Sequence, residues 1–173
     1  LDGTTGFRLN GATVNDLSGY SVASAGDVNG DGFADLIIGS PAANTSAGVS
    51  HVVFGKASGF ASSIDLANLN GTTGFRLDGE AAIDQSGTSV ASAGDVNGDG
   101  LPDIIIGAPY AAANGSDTGS SYVYLSNATS GASYRGTTMA DRLRGTAFGD
   151  IIYGNGGNDT ITAGDGNDTL EGG

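Results

Sequence analysis

Two stretches of this chain carry the same nine-residue loop. Asp27-Val-Asn29-Gly-Asp31-Gly-Phe33-Ala-Asp35 returns 68 residues later as Asp95-Val-Asn97-Gly-Asp99-Gly-Leu101-Pro-Asp103. Carboxylate or amide oxygens stand at positions 1, 3, 5 and 9 of each copy. Side chains at every second position of a tightly turned loop converge on one point, and a hard divalent cation takes six to eight oxygens at about 2.3–2.6 Å. The carbonyl of position 7, Phe33 or Leu101, would add a further oxygen. Gly30 and Gly32, with Gly98 and Gly100, permit the backbone angles that such wrapping needs. Asp, Asn and Gly are also ordinary turn residues, so one copy alone could be no more than an acidic turn. Two copies of identical chemistry, each leading into an apolar run, read as a calcium cage written twice. The candidate ligands are Asp27, Asn29, Asp31, Phe33 and Asp35, then Asp95, Asn97, Asp99, Leu101 and Asp103.

The duplication extends beyond the loops. Leu1-Asp-Gly-Thr-Thr-Gly-Phe7-Arg8-Leu9 recurs as Leu69-Asn-Gly-Thr-Thr-Gly-Phe75-Arg76-Leu77, and Ser21-Val-Ala-Ser-Ala-Gly as Ser89-Val-Ala-Ser-Ala-Gly. Each unit contains four short apolar or alternating segments between Gly-rich turns, at 5–10, 19–25, 34–39 and 48–54, then 73–78, 87–93, 102–107 and 119–125. Asp35-Leu-Ile-Ile and Asp103-Ile-Ile-Ile are continuous apolar runs of the kind found in strands covered on both faces. Repeats of this length with several strands each predict propeller-type blades, in which each sheet covers its neighbour.

The order Ser18-Gly-Tyr-Ser-Val, loop, Asp-Leu-Ile-Ile, Gly39-Ser-Pro41, and again Ser86-Gly-Thr-Ser-Val, loop, Gly107-Ala-Pro109, resembles the FG-GAP repeat of integrin-alpha-type propellers. The resemblance covers residues 1 to about 127. It is specific for the loop and for Gly-Ala-Pro, and it departs from the family where Gly19-Tyr20 and Gly87-Thr88 stand for Phe-Gly. It implies that the side-chain calcium ligands are Asp27, Asn29, Asp31 and Asp35, and Asp95, Asn97, Asp99 and Asp103. Propellers close with about 4–8 blades, and two copies predict further blades in a longer parent chain or other copies against the open faces.

Beyond Ser126 the period shortens. Asp141, Asp150, Asp159 and Asp168 are nine residues apart, and Leu143, Ile152, Ile161 and Leu170 follow each Asp at plus two. The segment approximates the Gly-rich nonapeptide of calcium-binding parallel β-rolls and resembles the RTX family of bacterial secreted proteins. Met139-Ala140 and Phe148-Gly149 depart from that pattern, so Asp159 and Asp168 are the stronger candidate ligands, with Asp150 next. The alternative for such a composition is a disordered Gly/Asn/Asp tail.

Composition narrows the function. The 173 residues carry 19 acidic and 6 basic side chains, a formal charge of -13. Ten of the acids sit in the repeated motifs, which assigns much of the charge to cation binding. A nucleic-acid binder would need a basic stripe, and none exists; no apolar run reaches the roughly 20 residues of a membrane helix. There is no cysteine, so metal rather than disulfides is expected to stabilise the chain. The single His51 lies in an alternating segment and reads as a structural strand histidine. No Gly-x-Ser-x-Gly, His-Glu-x-x-His or Gly-Lys-Ser/Thr motif is present, and no catalysis is expected.

The expectation is therefore all-β: two four-stranded blades at 1–68 and 69–130, then a short parallel β-roll at 131–173. Its expected role is that of a secreted, extracellular, calcium-bound structural or adhesive module of a large bacterial surface or matrix protein. Its partners would be calcium, other copies or repeats, and a cell-surface or matrix ligand. Two other readings are a self-assembling filament subunit and a non-catalytic accessory region of a secreted hydrolase.

Overall fold

The structure, a computed structural model, describes residues 1–113, 115–127, 133–145, 150–164 and 167–173. The departure at Phe148-Gly149 lies outside the described residues. The chain is all-β. Its strands in order are β1 (Arg8–Asn10), β2 (Ser21–Gly26), β3 (Asp35–Ser40), β4 (Val49–Val53), β5 (Ser63–Asp65), β6 (Gly74–Asp78), β7 (Ser89–Gly94), β8 (Asp103–Ala108) and β9 (Ser120–Tyr124), followed by β10 (Ser133–Arg135), β11 (Arg142–Arg144), β12 (Ile151–Tyr153), β13 (Thr160–Thr162) and β14 (Thr169–Glu171).

The first sheet is four-stranded and antiparallel in the order β2-β3-β4-β6, and the second is three-stranded in the order β7-β8-β9. The sheets therefore do not follow the sequence units strand for strand. The fourth strand of the first sheet is β6, drawn from the second unit, while β1, its counterpart in the first unit, pairs in parallel with β5 through Arg8↔Ser63, Leu9↔Ile64 and Asn10↔Asp65. The expected fourth strand of the second sheet is absent among the described residues. The Phe-Arg-Leu segment closes the sheet that precedes it along the chain, and residues 125–173 carry no further copy of it.

Period-two alternation explains the packing. Ile37 and Val52 point from the first sheet toward the second, where Ile104 and Ile106 meet them; Phe75, Leu77, Val90 and Tyr124 pack around this core. Strand neighbours of the opposite parity, Ile38 and Val53, face the other way and are covered by Leu66, Leu9, Ile64 and Leu69. Thus β3 is apolar on both faces, as its continuous Leu-Ile-Ile run predicts. Both β2 and β7 carry a bulge at matching points, Ser24/Gly26 and Ser92/Gly94, just before each loop. Bulges of this kind re-aim the chain at a strand end.

From Ser133 onward the chain alternates between two parallel sheets. β10, β12 and β14 form one, and β11 and β13 the other. The registers Ser133↔Ile151↔Thr169 and Arg142↔Thr160 advance 18 residues per step, two nonapeptides for each return to the same sheet. Ile152 is fully buried, whereas Leu170 in the last strand is 53% exposed.

Candidate metal centre

Each loop sits between the bulged end of one strand and the start of the next, β2 to β3 and β7 to β8. Gly30, Gly32, Gly98 and Gly100 all have positive φ, between 73° and 94°, which lets the chain fold back on its own side chains. In the first loop the Asp27 carboxylate accepts the amides of Asp31 and Gly32 at 3.0 and 2.8 Å. Asn29 Oδ1 accepts Asp31 N at 3.1 Å, and Asp31 Oδ1 accepts Phe33 N at 2.9 Å. Asn29 Nδ2 donates to Asp31 Oδ2 at 3.0 Å. The second loop repeats this wiring. Asp95 accepts Asp99 N and Gly100 N at 3.0 and 2.9 Å, Asn97 accepts Asp99 N at 2.9 Å, and Asp99 accepts Leu101 N at 2.9 Å.

Position 9 behaves differently. Asp35 is wholly buried; its two oxygens accept Val28 N and Gly55 N, both at 2.8 Å. Asp103, equally buried, accepts Val96 N at 2.8 Å and Ser126 N at 2.9 Å. Each ninth residue therefore ties its loop to the chain just beyond the strand that follows its own, β4 for Asp35 and β9 for Asp103. Burial pushes the Asp35 carboxyl up to about 6, against the lowering effect of the Gly55 and Val28 amides, and the charges of Asp27 and Asp31 add to the rise. Burial likewise raises Asp27, with a contribution from the Asp31 charge. The loop thus concentrates anionic oxygens that oppose one another's ionisation.

Among the described residues no three acidic, imidazole or thiol side chains converge on one point. The oxygens of Asp27, Asn29 and Asp31 are turned onto loop amides instead, and Asp35 is turned inward. The donor set is hard oxygen throughout and suits a calcium ion, whose ligands these residues would supply, with the carbonyls of Phe33 and Leu101. The cation would supply the positive charge that lets neighbouring carboxylates stay ionised together.

In the nonapeptide segment the aspartates act between turns. Asp159 Oδ1 accepts Asp141 N at 3.0 Å and Asp168 Oδ1 accepts Asp150 N at 2.9 Å, in each case across 18 residues. Asp141 instead accepts Thr137 N and Thr137 Oγ1 at 2.6 and 2.9 Å. Asp150 is buried. Tyr134, half-buried, has its phenol pushed up first by burial and then by the charges of Asp150 and Asp27.

Residues 18–53 and 86–124 match the FG-GAP repeat, and residues 135–173 match the RTX calcium-binding nonapeptide repeat. FG-GAP repeats followed by RTX repeats make up this chain. Its relatives include integrin alpha pat-2 of Caenorhabditis elegans, 36% identical over 95 residues that cover 52% of this chain and 7% of the relative. Integrin alpha-PS2 of Drosophila melanogaster is 33% identical over 105 residues, 60% of this chain and 7% of the relative. Integrin alpha-6 of Homo sapiens is 33% identical over 113 residues, 64% of this chain and 9% of the relative. The chain thus spans less than a tenth of the length of these curated relatives.

Two further acids carry the repeat without standing out in the sequence. Asp16 accepts Thr13 N and Ser18 N, both at 2.9 Å, and Asp84, its counterpart 68 residues on, accepts Ala81 N at 3.1 Å. Both are buried and hold the turns that lead into β2 and β7. Their shared 68-residue offset was the available signal.

Proposed function

We propose that this chain is a calcium-binding, adhesion-type structural module of a secreted or cell-surface bacterial protein, without catalytic activity, that external calcium folds and rigidifies. Two blade-like units at 1–68 and 69–130 precede a β-roll at 131–173. Asp27, Asn29, Asp31 and Asp35, with the Phe33 carbonyl, would hold one ion, and Asp95, Asn97, Asp99 and Asp103, with the Leu101 carbonyl, a second. Asp150, Asp159 and Asp168 would hold calcium between turns of the roll. No helix among the described residues is long and apolar enough to cross a membrane, and the acidic surface disfavours nucleic acid. The surface or matrix ligand of such a module would be recognised by the assembled protein.

The observation that carries this reading is the duplicated loop, wired to its own amides in the same way twice and anchored both times by a buried ninth carboxylate. Scattered carboxylates cannot form a site in an unfolded chain, so metal-binding energy is folding energy. Calorimetry and circular dichroism on calcium titration test it. At calcium 100 times the dissociation constant, each site should add about 2.7 kcal/mol to stability, and Asp31→Ala with Asp99→Ala should shift the titration to much higher calcium. A melting temperature indifferent to calcium and to chelator would refute it.

A further inference from the structure

Among the described residues the second sheet lacks the strand that completes the first, and the chain carries a second copy of that strand's sequence. In the first sheet, β6 pairs with β4 through Val49↔Asp78, Ser50↔Leu77, His51↔Arg76, Val52↔Phe75 and Val53↔Gly74. The equivalent of β4 in the second sheet is β9, which pairs only with β8 among the described residues. The equivalent of β6 is Gly6-Phe7-Arg8-Leu9-Asn10, the same Gly-Phe-Arg-Leu sequence 68 residues earlier. Among the described residues it holds a three-residue parallel ladder, along one edge, with β5, and Phe7 stacks on Phe60 at 4.2 Å.

The two halves of this unmade ladder cannot meet within one molecule as it is folded. Leu9 packs with Ile38 and Val53 on the outer face of the first sheet, whereas Tyr124 packs with Ile37 and Ile104 on the inner side. The face of the second sheet that corresponds to the inner face of the first, and that runs out to the β9 edge, is uncovered among the described residues. Ile37 and Val52 are 0% exposed, but their counterparts Ile105 and Val123 are 37% and 49% exposed, and Leu125, the counterpart of Phe54, is exposed too. An apolar face beside an unpaired strand edge is a template for strand addition.

We propose that the open edge of β9 accepts β1 of a second copy of this chain, antiparallel, in the register Ser120↔Asn10, Ser121↔Leu9, Tyr122↔Arg8, Val123↔Phe7 and Tyr124↔Gly6. The donated Phe7 takes the place opposite Val123 and beside Leu125 that Phe75 takes in the first sheet opposite Val52 and beside Phe54, whose ring lies 5.8 Å from that of Phe75. Because β1 and β9 are different surfaces, the contact is heterologous and propagates head to tail from copy to copy. It requires the blade pairing described above but not calcium in the loops.

The chain has no cysteine, so engineered thiols report cleanly. The full chain carrying Arg8→Cys is mixed with the full chain carrying Tyr122→Cys and oxidised mildly, and the disulfide species are resolved by mass. The expected result is a mixed disulfide at least tenfold over either self-linked dimer. Replacing the second partner by Ser89→Cys, on the opposite edge of the sheet, should abolish that excess. Light scattering on the unmodified chain should show mass rising with concentration. Linkage in statistical proportion, a monomer at all concentrations, or an intramolecular bond in the double variant Arg8→Cys/Tyr122→Cys would each overturn the proposal. Calcium calorimetry on the same unmodified sample separates the two ideas, since strand donation without calcium binding leaves this inference standing and removes the metal reading.

Discussion

Asp35 and Asp103 do more than decorate a loop. Each accepts one amide from its own loop and one from beyond the following strand, so each would fasten the structure even with no cation present. Asp35→Asn puts an NH₂ group against a backbone N–H and should cost about 1–3 kcal/mol in urea melts run in chelator, whereas Asp31→Ala should act mainly by raising the calcium requirement. His51 offers a pH test. It is buried in β4, its Nδ1 lacks a hydrogen-bond partner, and burial lowers its pKa; the Asp16 and Asp78 charges act against that lowering and Arg76 with it. With the folded pKa below the unfolded value of about 6.5, the unfolded chain takes up the proton first. Stability is therefore lost as pH falls below about 6.5. Asp35 runs the opposite way, because a folded pKa of about 6 above the usual carboxylate value means that its stabilising contribution fades as pH rises through about 4 to 6. Melting temperatures from pH 4.5 to 7.5 in chelator should show His51→Leu flattening the acid-side loss without lowering stability at pH 7.5.

Equivalent strands in the two sheets have unequal surroundings, and mutation should expose the difference. Ile37→Ala removes a fully buried side chain from β3 and should cost about 2–5 kcal/mol; Ile105→Ala, its counterpart on β8, should cost under about 1 kcal/mol in dilute solution. Similarly, Ile152→Ala should destabilise the nonapeptide segment far more than Leu170→Ala, read by denaturant melts. The positions of β2 to β4 and β6 to β9 were legible in the sequence within a residue or two, because Gly-rich turns and apolar alternation fix them locally. Their partnership was not. That β6 closes the sheet before it depends on where the chain goes after Asn68, a long-range matter on which strand periodicity is silent. The loops were legible as oxygen-rich turns, yet the sequence did not reveal that positions 1, 3 and 5 face loop amides while position 9 is buried, since burial is set by the sheets beneath.

Over the entire chain, charge opposes folding. A formal charge of -13 concentrated in the two loops and the nonapeptides repels itself at short range, and salt screens such repulsion over about 10 Å at 0.1 M. Monovalent salt in chelator should therefore raise the melting temperature modestly, while calcium at a thousandth of the concentration should raise it more; equal effects at equal ionic strength would reduce the loops to screened charge. The 18-residue return between the two parallel sheets has a different outcome. Strands in a sheet lie about 4.8 Å apart, so lengthening the coil by two nonapeptides moves its tip outward by one such step and leaves the same side foremost. A single inserted nonapeptide instead turns that tip through half a revolution, so the parity of the copy number governs which side the tip presents.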